Sequence, residues 1–126
     1  MRKIKVPILT EEYFIWAYLG ERQELVKNAA KYLERDEKEV DEFFTGRGAA
    51  INCIDEGLNP LIMVKTDLDV YTGFATLAHE ASHAMDYIQH YLGINDGSGE
   101  VHAHGIASVM RHCLKDLDKL LQNKKK

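Results

Sequence analysis

Along the first twenty residues, MRKIKVPILTEEYFIWAYLG, polar positions give way to an apolar run. Thr10, followed by Glu11 and Glu12, predicts a capped helix through FIWAYL that pauses near Gly20. A second helix is predicted from about Glu21 to Glu34, and Asp36-Glu37-Lys38-Glu39 reads as a capping box opening a short helix that ends near Phe44. TGRG, Thr45 to Gly48, reads as a loop. The period then changes. AAINCID (49–55) and LIMVKT (61–66) are short β-type runs around the turn-rich EGLNP, which predicts a β-hairpin. Pro60 at the entrance of the second run suits an edge strand or a strand start. A long helix is expected from near Thr72 to Gly93, a C′ glycine, and a last one from about Gly99 to Leu121 with Ser98 as a possible cap. The order is helices, hairpin, helix, helix. It predicts one small α+β domain over 1–126, mostly helical, with N-terminal helices in 1–48 and the hairpin and two further helices in 49–121.

The long helix carries the chemistry. It reads TLAHEASHAMDYIQH from Thr76 to His90. At about 100° per residue, Phe74, Leu77, Ala81, Met85, Ile88 and Leu92 fall on one side, and His79, His83, Asp86 and His90 on the other. Residues four apart are neighbours on a helix surface, so His79 and His83 can aim imidazole nitrogens at one ion. Glu80 is rotated about 100° from His79, beside such an ion, where a carboxylate can take a proton from activated water. The bare H-E-x-x-H pattern is moderately specific, and a histidine on a polar face is more often simply solvated. The segregation of the two faces raises the metal reading.

Composition narrows the rest. With 126 residues, 45% hydrophobic and 29% charged, the chain has ordinary globular values. A net charge of −4 with no basic face argues against nucleic acid as the main partner. Neither a secretory signal nor a membrane-spanning run is visible, so a cytoplasmic setting without membrane contact is expected. Cys53 and Cys113 sit among apolar neighbours and read as buried free thiols, and the closing lysines 124–126 as a solvated tail.

A catalytic zinc usually takes three protein ligands. Glu100, in GEVHAHGIASVM, follows His83 across a glycine-rich turn, and a short connection would return it towards the middle of the histidine helix. Ala103 is small enough to let the helices approach. HEASH followed by Glu100, Ala103 and Ala107 resembles the gluzincin metallopeptidases, and the E-x-x-A-x-x-x-A pattern is similar to the small intracellular ImmA/IrrE-like group. The resemblance covers roughly 49–110. It implies a zincin-like fold, one zinc per chain held by His79, His83 and Glu100, Glu80 as general base, and a peptide substrate held along an edge strand. Some gluzincins carry an acidic residue four positions after the glutamate ligand, which orients a ligand histidine. Here that position is His104, and Asp86 is the first substitute. Tyr71, Tyr87, His102, His104 and Arg111 are candidate oxyanion donors, none distinguished by spacing. The alternative is a regulatory or interaction module that binds zinc without proteolysis. A di-iron site fits poorly, because a second E-x-x-H is missing.

Overall fold

The computed structural model of the protein describes residues 1–44, 46–95, 97 and 99–123, with the backbone alone at 10–12 and 123. Its first twenty residues form two antiparallel strands instead of a helix: β1 (Arg2–Ile8) and β2 (Thr10–Gly20), joined at Leu9 with φ 61°. The physical reason lies in two-sided burial. Ile15, Ala17 and Leu19 are fully buried against one core, while Trp16 and Tyr18 pack into another. A strand covered on both faces reads as a continuous apolar run, and periodicity alone does not separate that from a buried helix.

Beyond Gly20 the predicted elements appear in order. Helix α1 (Arg22–Leu33) precedes α2 (Glu37–Phe43), where Asp36 Oδ1 accepts the Lys38 N–H at 2.9 Å. The hairpin is β3 (Gly48–Ile51) and β4 (Leu61–Lys65), antiparallel with Ala49 opposite Met63. It belongs to a larger, mixed sheet of four strands in the order β1-β2-β4-β3, with β4 parallel to β2. Pro60 therefore precedes an inner strand, and β3 is the outer one. Helix α3 (Val70–Leu92) begins where Asp69 Oδ1 accepts the Thr72 N–H at 2.9 Å and ends at Gly93, φ 68°. Helix α4 (Glu100–Asn123) closes the fold. The cap assigned to Thr10 falls with the helix it was to open, because Thr10 begins β2, whereas Ser98 and the lysine tail lie outside the described residues.

The result is an α+β domain whose sheet has helices on both faces. Helices α3 and α4 share a core with Val6, Ile15, Leu19, Ile62 and Val64, and α1 and α2 pack with Ile51, Leu61 and Met63. Adjacent β4 residues thus face opposite layers, as strand geometry requires. Among the described residues, no helix is long and apolar enough to cross a membrane.

Helices α3 and α4 run antiparallel: Gly105 meets Met85, and Gly73 meets Leu121. Their close approach lies at Gly105, where a Cβ would stand 2.1 Å from Met85 Sδ, whereas Ala103 is exposed. Met85 is fully buried and has little room to retreat. We expect Gly105→Ala to cost about 1–3 kcal/mol in urea unfolding, the usual penalty of overpacking. Ala103→Leu should stay within roughly 0.5 kcal/mol of the parent protein. Equal costs for the two would mean that the helices approach elsewhere.

Candidate metal centre

Among the described residues, one group of His, Cys, Asp and Glu side chains can converge on an ion: His79, Glu80 and His83, with ligand atoms within 4.8 Å of one another. His79 Nε2 and His83 Nε2 stand 3.1 Å apart, their rings nearly perpendicular at 80°. Two nitrogens bound tetrahedrally to zinc at about 2.0–2.1 Å would be roughly 3.3 Å apart. The pair therefore fits a zinc ion on its spacing and on its chemistry. Both imidazoles are exposed, on the outward side of α3.

Glu80 differs from its neighbours. It is only 7% exposed, because one turn of α3 tucks it beneath β3. Gly48 makes this possible: a Cβ there would lie 2.6 Å from the Met63 carbonyl oxygen, 2.8 Å from Thr76 Cγ2 and 3.0 Å from Glu80 Oε2. Burial pushes the Glu80 carboxyl above its ordinary range, and the two imidazoles partly oppose that. A carboxyl poised upward beside a histidine pair suits proton transfer.

A cleft of about 450 Å³ opens here, between Gly46, Arg47 and Gly48 on one wall and Thr76, His79 and Glu80 on the other. The TGRG segment read only as a loop from sequence. Its available signal was two glycines ahead of a β run, which permit close approach of backbone to a helix.

Among the described residues, strand β3 has one side paired and one side free of sheet partners. The Lys65 N–H donates to the Arg47 carbonyl at 3.1 Å, which fixes the phase of the ladder. Antiparallel strands alternate between exchanged and outward-facing groups, so Gly48 and Ala50 turn their N–H and C=O away from β4. The Tyr87 hydroxyl confirms that phase by donating to the Ala50 carbonyl at 3.3 Å.

The remaining candidates lie elsewhere. Glu100 is not in the convergent group: its Oε2 is 3.5 Å from His104 Nε2, and both side chains are exposed. His104 borders a hollow with Pro7 and Leu9 of the β1 end, so this pair faces away from α3. Asp86 Oδ1 lies 3.4 Å from His102 Nδ1 and does not orient a ligand histidine. His102 also stands 2.9 Å from Ser82 Oγ and 2.9 Å from Gln89 Oε1, so it clasps α4 to three turns of α3. Ser, His and Asp meet there as in a hydrolytic triad. Ser82, however, sits in the middle of α3, where backbone N–H groups are spent on helix bonds and cannot form an oxyanion hole. Tyr71 is 87% exposed, His90 and Arg111 are exposed, and His112 Nδ1 lies 2.8 Å from the Ser108 carbonyl oxygen.

Cys53 and Cys113 are buried free thiols, as the sequence suggested. Burial pushes Cys53 up to about 11 and Cys113 up to about 12, which suits inert packing rather than nucleophilic use. Compared with family models, curated proteins and solved structures, the chain finds no match.

Proposed function

We propose that the protein is a zinc-dependent peptidase on a minimal zincin-like fold. The observation that carries this reading is the pairing of His79 and His83 at 3.1 Å above a buried Glu80, under an outer strand. His79 and His83 would hold the ion, with Glu100 nominated as third donor by the sequence pattern, although it stands apart in this structure. Bound zinc would supply Lewis acidity to water and to the scissile carbonyl. Glu80 takes the proton of the attacking water and hands it to the leaving amine. The outward N–H and C=O of Gly48 align an extended peptide across the cleft by strand addition. Buried free thiols suit a reducing compartment, and the cytoplasm is the setting proposed.

The test is cleavage of a broad peptide library by zinc-loaded protein, with chelator and zinc add-back. Chelation should abolish turnover and zinc should restore it. Zinc binding without cleavage of any peptide would favour a non-proteolytic module instead. The third ligand is tested apart from activity, by zinc affinity in a competition titration. Glu100→Gln should weaken binding about 100-fold or more, since losing even a partner that only orients a ligand costs about 10–100-fold. Unchanged affinity would remove Glu100 from the ligand set.

A further inference from the structure

We propose that Tyr87 determines substrate specificity by occupying one rung of the β3 edge, so that the cleft accepts peptides with proline, or another residue lacking a backbone N–H, at that rung. This inference rests on the peptidase reading and adds to it a substrate class.

The edge offers few groups. Two residues of β3, Gly48 and Ala50, point their backbone groups outward. Gly48 lies in the cleft wall beside Glu80. A peptide added as a further strand exchanges hydrogen bonds with Gly48 there. Two residues along, its next inward N–H is aimed at the Ala50 carbonyl. That acceptor already receives the Tyr87 hydroxyl at 3.3 Å. Tyr87 reaches it from α3 by crossing beneath the edge, and its half-buried ring fixes the approach. The Ala50 oxygen keeps a second lone pair, so a substrate N–H arriving at this rung shares an acceptor already engaged by the hydroxyl and gains less there than at an open carbonyl. Proline has no N–H to place there. In either strand direction one substrate N–H is aimed at the Ala50 carbonyl.

Small residues make the edge permissive otherwise. Gly48, Ala49 and Ala50 present no bulky side chain to a neighbouring strand, so selection rests on the backbone. Tyr87 then acts as a positioning and specificity residue, not as a catalytic one.

The experiment uses full-length, zinc-loaded protein and internally quenched octapeptides drawn from sequences it cleaves. Each backbone nitrogen is methylated in turn, with proline substitution as a second series. Wild-type protein should tolerate methylation at one position, losing less than about twofold in kcat/KM, while methylation at the position paired with Gly48 should cost about tenfold or more. Tyr87→Phe keeps the ring and deletes only the hydroxyl. At the tolerant position it should make methylation cost about fivefold, the scale of one neutral hydrogen bond, mostly through KM. It should leave the Gly48 position unchanged. The same scan in wild-type and Tyr87→Phe protein would overturn the inference while leaving the peptidase reading intact. Failure of wild-type protein to cleave any library member would overturn both.

Discussion

Glu80→Gln should reduce peptide turnover by about 10²–10⁴-fold while leaving zinc affinity within a few-fold of wild type. The amide preserves size and much of the packing beneath β3 but accepts no proton at neutral pH. Single-turnover kinetics and a competition titration on the same preparation check both halves. Turnover at the wild-type rate would remove Glu80 as base. The substitution should also change stability in metal-free protein, and the sign follows from burial. The folded carboxyl is raised, chiefly by desolvation. Between the ordinary glutamate range and the raised folded value, the native state therefore holds more protons than the unfolded state. Stability falls as pH rises through that window. Glu80→Gln has no such loss, so its melting temperature should exceed that of metal-free wild type at pH 7, and the gap should narrow at about pH 4. A gap that widened on acidification would mean that the native site favours the ionised carboxylate.

Gly48→Val should be the most disruptive single change near the cleft. Its Cβ alone would sit 2.6 Å from a backbone oxygen, that of Met63, which belongs to the paired strand and cannot withdraw without breaking the sheet. The same Cβ would lie 3.0 Å from Glu80 Oε2. The branched side chain adds further atoms to both contacts. We expect a loss of about 3 kcal/mol or more in urea unfolding, at the upper end of overpacking penalties. Folded molecules that survive should have lost turnover, because either β3 or Glu80 must have shifted. Gly48→Ala provides the graded comparison, with a loss of about 1–3 kcal/mol. If the valine variant were as stable and as active as wild type, β3 would not lie over Glu80.

How much of this was legible in sequence depended on whether the determining information was local. Helix α3 was readable because its end and its faces are written within itself: Gly93 and the alternation of Leu77, Ala81, Met85 and Ile88 with His79 and His83. It starts at Val70, however, two residues before the predicted Thr72, on an Asp69 cap the sequence reading did not use. The β3–β4 hairpin was readable from its turn chemistry. Strand β2 was not, since its apolar run owes its shape to layers contributed by the adjacent α1 and, far along the chain, by α3 and α4. The burial of Glu80 was not legible, because nothing in α3 says that β3 covers that side. Glu100 turned on a rotation of α4. Ala103 looked like the point of close approach, but Gly105 takes that role, and the helix then carries Glu100 and His104 outward.

The parallel seam between β2 and β4 has a consequence for assembly. Each outer pair, β1 with β2 and β3 with β4, is a local hairpin that can close early. Their union pairs Trp16 with Leu61, across a long loop that includes α1 and α2. Closing such a loop is paid in chain entropy before the contacts return anything. We expect the two halves to meet late, after each hairpin has closed. Refolding followed at Trp16, which is paired within the β1–β2 hairpin and across the seam to Leu61, should accordingly show an early phase and a later one.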